Sequence, residues 1–74
     1  MTFGERLRQF RELAKMSQSE LARRANIPQP VVSDVESGRQ KSVNLETARR
    51  IARALGVTLD LLAGEGEGEN TSSA

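Results

Sequence analysis

Apolar residues recur along this chain at intervals of three and four, which is the spacing of a helix face. Phe3, Leu7 and Phe10 show the pattern first. They follow Thr2, whose hydroxyl can pair with the backbone of Glu5 in a capping box that begins a helix. The chain shows no strand-like alternation of apolar and polar residues. The pattern predicts an all-α protein, a compact bundle of about five short helices.

The second and third segments are short and lie close together. Ser17 and Glu20 repeat the capping device, and the helix that they begin is predicted to end at Asn26, because asparagine tolerates the left-handed conformation of a tight turn. A third helix is predicted from about Gln29 to Ser37, before Gly38.

Two prolines fall at the start of the third helix. Pro28 and Pro30 are compatible with it, because the N–H groups of a first helical turn have no partner within the helix.

Two further helices follow a polar loop. Asn44 and Thr58 are the predicted caps, and the last helix is predicted over 59–63. Leu13 is expected beside the apolar face of the first helix, and Leu45 is expected on the apolar face of the fourth.

Length and composition favour a single domain. A chain of 74 residues holds one modest core, which we assign to residues 1–63, and the Gly, Glu, Asn and Ser of residues 64–74 predict a disordered tail. The sequence has no cysteine or histidine, which argues against disulfides, zinc sites and thiol chemistry, so we expect no metal and no cofactor. No apolar run approaches the roughly 20 residues that span a bilayer. We therefore expect a cytoplasmic protein without a membrane partner.

The charge of the predicted domain is more informative than the net charge of +1. The glutamates Glu65, Glu67 and Glu69 lie in the tail, and residues 1–63 hold 11 basic and 7 acidic residues. This balance favours a polyanionic partner. Only two aromatic residues are present, so a platform for stacking the bases of single strands is not expected.

The stretch QSELARRANIPQPVVSDVES, residues 18–37, has the apolar spacing of two short helices that cross steeply. It resembles the helix-turn-helix of the Xre/Cro-like family, to which the lambda-type phage repressors belong. The segments FGERLRQFRE, ESGRQ and NLETARRIARALGVTLDLL resemble the rest of that domain, so the resemblance covers about Phe3 to Leu62. It implies a domain that binds double-stranded DNA in the major groove.

The resemblance also implies roles for individual residues. Gln18 matches the family's phosphate-binding glutamine, at a helix N-terminus whose dipole favours an anion. Gln29 matches a position that contacts bases, and a carboxamide can bond adenine bidentately. The predicted DNA-binding residues are Ser17, Gln18, Gln29, Pro30, Val31, Ser33, Asp34, Arg39, Lys41 and Ser42.

Alternatives stay open for several of these residues. The glutamines and the basic loop residues can equally be solvated surface. Asp34 is repelled by phosphate unless it accepts from cytosine N4 or pairs with Arg39. Five other arginines are interpreted as solvated helix faces: Arg23, Arg24, Arg49, Arg50 and Arg53.

Two further sets are predicted. Arg11 and Glu36 match family positions that form a structural ion pair. A homodimer is expected through the fifth helix, where Leu61 is apolar at a position that is polar in many relatives. Leu59 and Leu62 are interpreted as core residues, and the predicted interface is Leu59, Leu61 and Leu62.

The leading hypothesis is therefore a dimeric transcriptional regulator that binds a palindromic operator, with no small-molecule ligand expected. Phage repressors, antitoxins and restriction–modification controllers are similar compact domains, and the sequence does not separate them. The alternative is a protein-interaction module of the same fold, an antitoxin or adaptor with weak or no DNA binding, which Asp34 and the two prolines favour. An enzyme has little support, because no histidine or cysteine is present and the carboxylates are scattered.

Overall fold

The computed structural model describes residues 1–64 and shows five helices there. They are α1 (Phe3–Leu13), α2 (Gln18–Ala25), α3 (Gln29–Ser37), α4 (Leu45–Leu55) and α5 (Leu59–Ala63). All regular structure in residues 1–64 is helical, which confirms the all-α prediction. None of these helices has the length and apolar character needed to cross a membrane. Of the predicted tail, only Gly64 falls within the described residues.

Four of the five helices begin with the side-chain cap that the sequence predicts. Thr2 and Glu5 form the capping box, with Thr2 Oγ1 accepting from the Glu5 amide at 3.1 Å and Glu5 Oε1 accepting from the Thr2 amide at 3.0 Å. Ser17, Asn44 and Thr58 each accept from the amide three residues on. The capping box expected at Ser17 is only half formed, because the Glu20 carboxylate accepts from Arg24 and not from the Ser17 amide. Such caps stabilise a helix by about 1 kcal/mol each. The start of α3 differs, because Pro28 has no side-chain cap.

The turn between α2 and α3 is tight because Asn26 adopts the left-handed conformation, with φ 58°. The amide of Ile27 donates back to the carbonyl of Ala22 at 3.0 Å, which satisfies one of the last carbonyls of α2. The turn sends the chain directly into α3, as the sequence predicts.

The helices pack in a ring around one core. α2 packs against α3 and α4, α1 packs against α3 and α5, and α4 packs against α5. α3 and α4 thus share α2 as a neighbour and make little contact with each other. The core contains Leu7, Leu21, Ala22, Ala25, Val32, Val35, Ile51, Ala52 and Leu62.

Gly4 allows α1 to approach the last turns of α3 very closely. A Cβ at this position would collide with the carbonyl oxygen of Val35 and lie 3.0 Å from its carbonyl carbon. Because that obstacle is backbone, a side-chain rotation cannot remove it. Glycine is therefore required by the contact between the two helices.

The structure corrects three leucine assignments. Leu13 and Leu45 are 71% and 58% exposed, because they lie at helix ends and at the margin of the apolar stripe. Leu62 has no exposed surface and belongs to the core. It therefore offers no contact area to a second copy of the folded domain, and its assignment to the dimer surface is wrong.

Candidate nucleic-acid interface

The first residues of α2 and α3, Gln18 and Gln29, lie side by side. Gln18 is half-buried, Gln29 is exposed, and the Nε2 of Gln29 donates to the Oε1 of Gln18 at 3.4 Å. The tight turn at Asn26 produces this arrangement, because it folds α3 back against α2. Two carboxamides therefore stand together where both helices begin.

Behind them lies an ion pair that joins α1 to the last turn of α3. Arg11 donates from Nε to Glu36 Oε2 at 2.7 Å and from Nη2 to Glu36 Oε1 at 2.9 Å. Its Nη1 donates to the carbonyl of Met16 at 2.8 Å, which fixes the turn before α2 as well. The side chains of Arg11 and Glu36 are only 12% and 4% exposed. The structure thus places in contact the two residues that were expected to pair.

Both members of this pair are charged at neutral pH. Burial alone would raise the pKa of Glu36, but hydrogen bonds from Arg11 and Gln18 and the positive charges of Arg11 and Arg8 together lower it below its ordinary value. The hydrogen bond to Glu36 raises the pKa of Arg11, against the opposing effect of burial. Glu36 is therefore a carboxylate, which accepts hydrogen bonds and donates none.

The charge of Glu36 fixes the orientation of both glutamines. The Nε2 of Gln18 donates to Glu36 Oε1 at 3.0 Å, because an ionised carboxylate can face only the amino end of an amide. The Oε1 of Gln18 then points away and accepts from Gln29. One N–H of Gln18 remains for a further acceptor, and Gln29 keeps one N–H and its carbonyl oxygen. Those last two groups are what a glutamine uses to bond the N7 and N6 of adenine.

The outer side of α3 continues from Gln29. Pro30 is exposed, whereas Val31, Ser33 and Asp34 are half-buried. Positions 30, 33 and 34 follow helical spacing and share one side of α3, while Val32 and Val35 enter the core. Val31 instead packs partly against the core, so of the predicted residues of α3 only positions 30, 33 and 34 share the side opposite the buried one.

The loop after α3 begins with a second ion pair. Arg39 Nε lies 3.2 Å from Asp34 Oδ1, and the two side chains are 75% and 41% exposed. This contact matches the alternative in which Asp34 pairs with Arg39. The Nε2 of Gln40 donates to the carbonyl of Ser42 at 2.9 Å and closes the loop.

The remaining predicted residues are also at the surface. Lys41 and Ser42 are exposed in this loop. Ser17 is exposed at the start of α2, where its oxygen accepts from the Glu20 amide while its hydroxyl hydrogen stays available to an acceptor.

A protein-family model described as helix-turn-helix matches residues 7–62. This chain belongs to the Xre/lambda-repressor-like helix-turn-helix family. The match spans all of α2 to α4, most of α1, and α5 as far as Leu62, so both helices of the helix-turn-helix lie within it.

Two curated relatives are similar to this helix-turn-helix domain. The immunity repressor protein of Bacillus phage phi105 is 34% identical over 65 residues, which are 88% of this chain and 44% of the phage protein. An uncharacterized HTH-type transcriptional regulator of Archaeoglobus fulgidus is 53% identical over 38 residues, 51% of this chain and 17% of that protein. The chain therefore spans less than half the length of either relative.

An apolar surface of the domain lies on the side of α5 and α1. Leu61 is 56% exposed, Leu59 is half-buried, and Met1, at 68%, is exposed in the same region. Met1, Phe10 and Leu61 line a shallow groove of about 330 Å³. Of the predicted dimer residues, Leu61 offers the largest exposed apolar surface.

Sequence reasoning missed two features. The first is the bond between Gln18 and Glu36, since neither residue type nor spacing indicates that a glutamine 18 positions away shares the carboxylate. The second is a groove that gathers four of the arginines interpreted as solvated faces. The triplet Arg49, Arg50 and Arg53 was a usable signal, because three cations within two turns of one helix concentrate charge.

Proposed function

We propose that this chain is the DNA-binding domain of a transcriptional regulator, a repressor or controller that recognises a specific sequence in double-stranded DNA. The observation that carries the proposal is the pair of oriented carboxamides, Gln18 and Gln29, at the adjacent starts of α2 and α3. Family membership and the printed names of the relatives support it. A surface charge balance that favours a polyanion agrees with it.

In the proposed complex, α3 lies in the major groove and Gln29 bonds the edge of adenine with its free N–H and carbonyl oxygen. Gln18 donates its remaining N–H to a phosphate at the start of α2, where the helix dipole also favours an anion. The buried pair of Arg11 and Glu36 does not contact DNA. Its role is to hold both amides in the productive orientation before DNA arrives.

The other predicted residues divide into two groups. On α3, Pro30, Val31 and Ser33 contact base edges and thymine methyl groups. Around the loop, Arg39, Lys41 and Ser42 contact the phosphates of the backbone and supply the salt-dependent part of the affinity. Arg39 exchanges Asp34 for phosphate at little cost, because the pair is largely solvated.

We further propose that the domain binds as a homodimer to a palindromic operator, with half-sites about one helical turn apart. The proposed surface is Leu61 with Leu59, extended by Met1 and Phe10 from the adjoining groove. The matched test is Leu61→Ala against Leu13→Ala, since both leucines are exposed and only Leu61 lies on this surface. Analytical ultracentrifugation of Leu61→Ala is expected to show a weaker dimer, and Leu13→Ala an unchanged one. If the two variants dimerise equally strongly, α5 is not part of the interface.

The decisive experiment for DNA binding is selection of a duplex from randomised DNA by the wild type, Gln29→Ala and Glu12→Ala. The wild type and Glu12→Ala, a surface change on α1, are expected to enrich one palindromic sequence. Gln29→Ala is expected to relax the choice at one base pair of each half-site, with a loss of about 1 to 3 kcal/mol of discrimination there. If no protein enriches any duplex, the proposal fails and the protein-interaction module becomes the better hypothesis.

A further inference from the structure

A groove of about 620 Å³ runs between α2 and α4. Its walls are strongly basic, since four guanidinium groups surround it. We call it the arginine groove and define it by Arg24, Asn26, Glu46, Arg49, Arg50 and Arg53.

Two of the four arginines are held by contacts within the domain. Arg24 Nη2 lies 2.8 Å from Glu20 Oε2. Arg50 donates from Nε to Glu46 Oε2 at 3.1 Å and from Nη1 to the carbonyl of Asn26 at 3.1 Å. Arg50 thereby fastens α4 to the end of α2 and closes one side of the groove.

The other two arginines remain available. Arg49 and Arg53 are exposed, and within residues 1–64 neither guanidinium group forms an ion pair or a hydrogen bond. They lie one turn apart on α4, where like charges are neighbours and repel each other. The groove therefore keeps an excess of positive charge after its internal pairs are counted, and an anionic ligand would relieve the repulsion.

We propose that the arginine groove binds a carboxylate-rich segment of a partner polypeptide, with Arg49 and Arg53 each pairing with one acidic side chain. A guanidinium presents a planar fork that matches a carboxylate in two hydrogen bonds, and clusters of arginine are a recurring device for acidic motifs. The concave space between two helices suits a slender chain. The backbone of a DNA duplex presents its phosphates on a broad convex surface, which fits a groove of this kind poorly.

The position of the groove makes this surface independent of the proposed DNA-binding face. None of the residues proposed for DNA contact lines the groove, so a ligand on the outer side of α3 does not compete for Arg49 or Arg53. The domain then holds a nucleic acid and an acidic polypeptide at the same time. The inference does not require the proposed function, because the groove exists whether or not α3 binds DNA.

The test uses fluorescence anisotropy of a labelled decaglutamate peptide titrated with the full chain. The groove variant is Arg49→Gln/Arg53→Gln. The matched control is Lys15→Gln/Arg23→Gln, which removes the same charge from exposed residues outside the groove. Thermal melts followed by circular dichroism verify that both variants fold. The groove variant is expected to bind the peptide about ten-fold more weakly than the wild type, as the loss of charge-assisted hydrogen bonds implies, and the control less than about two-fold more weakly.

Absence of peptide binding by the wild type would overturn the proposal, and so would any of three results with the variants. The first is equal weakening in the groove variant and the control, which would show attraction to net charge alone. In the second, the groove variant loses as much affinity for a random duplex of about 20 base pairs as it loses for the peptide. That result would show that the groove binds phosphates. In the third, the variant Glu65→Gln/Glu67→Gln/Glu69→Gln binds the peptide much more tightly than the loss of three negative charges alone explains. That result would show that the chain's own glutamates fill the groove.

Discussion

Two ion pairs involve α3, and they differ in nearly every physical respect. The pair of Arg11 and Glu36 is 12% and 4% exposed, and three hydrogen bonds anchor the guanidinium. The pair of Asp34 and Arg39 is 75% exposed on the arginine side and 41% on the aspartate side, with one contact at 3.2 Å. The acidic members of both pairs, Glu36 and Asp34, lie in the second half of α3.

The difference shows how burial decides the role of a charge. In the interior, a charge that loses its partner has no water to replace it, so the first pair is costly to break and holds its neighbours in place. At the surface, water and salt screen the attraction, and the second pair contributes little to stability. The first pair therefore organises the site, and the second leaves Arg39 free to exchange partners.

The largest expected effect comes from breaking the buried pair. Arg11→Met leaves Glu36 buried without its counter-charge, and we expect a loss of about 3 kcal/mol in the free energy of unfolding. Urea denaturation measures the loss. Arg24→Met is the control, because Arg24 pairs with Glu20 within α2 and its side chain is 54% exposed, and its effect should stay within about 0.5 kcal/mol.

A double variant separates stability from amide orientation. Arg11→Met/Glu36→Leu removes both charges and should recover part of the stability, since an apolar pair needs no counter-charge. It also removes the acceptor of Gln18, so the choice of base at Gln29 should relax although the domain is folded. Full recovery of stability together with unchanged selection of duplex DNA would contradict the orienting role of Glu36.

A smaller loss is expected at the contact that brings α1 next to this pair. Gly4→Ala places a methyl group against the Val35 backbone, and we expect a loss of about 2 kcal/mol from the forced separation of the helices. Gly56→Ala is a useful comparison, because a Cβ there meets nothing within 4 Å and its cost comes only from a φ of 73°. A Gly4→Ala variant as stable as the wild type would mean that α1 and α3 can separate freely.

The pH dependence of stability is a third way to distinguish the pairs. Because the pKa of Glu36 is lower in the folded protein than in the unfolded chain, its contribution is complete above the ordinary titration range of glutamate. The contribution disappears as the pH falls through the folded pKa. Urea denaturation between pH 7 and pH 3 should therefore show a shallower decline in Glu36→Gln than in the wild type. Parallel declines would indicate that other carboxylates control acid unfolding.

The smallest stability effect is expected at the exposed pair. Arg39→Ala should change the free energy of unfolding by less than about 0.5 kcal/mol. Under the proposed function it should also lower the slope of log affinity for DNA against log salt by about 1. Arg23→Ala, which removes an equally exposed arginine from α2, should leave that slope unchanged. A large stability loss in Arg39→Ala would place this pair in the same class as the buried one.

The helix boundaries were predictable because local chemistry sets them. Ser17, Asn44 and Thr58 cap helices through contacts with residues three positions away, and Asn26 ends α2 through its own backbone preference. None of these features depends on the rest of the fold. The predicted third helix, from about Gln29 to Ser37, agrees with α3 for the same reason.

The sequence is less informative where an outcome depends on helix packing. Leu13, Leu45 and Leu62 are all apolar, and their different burial follows from which neighbouring helix covers each position. The arginine groove arises from the crossing of α2 and α4, which the spacing within either helix cannot show. The family resemblance indicated that Arg11 and Glu36 would pair, but the hydrogen bond from Gln18 required side-chain positions.

The layout of α3 also bears on how such a domain acquires new targets. The residues that fasten this helix, Val32, Val35 and Glu36, point inward or lie at its last turn, whereas Gln29 and Pro30 occupy its exposed first turn. Substitutions at these two positions alter what the helix meets without loosening what holds it. Under the proposed function, single substitutions there change the preferred DNA sequence and leave a folded protein. Within nine residues, the positions that hold the helix in the fold and those at its exposed start are physically separate, so specificity can be redesigned without rebuilding the core.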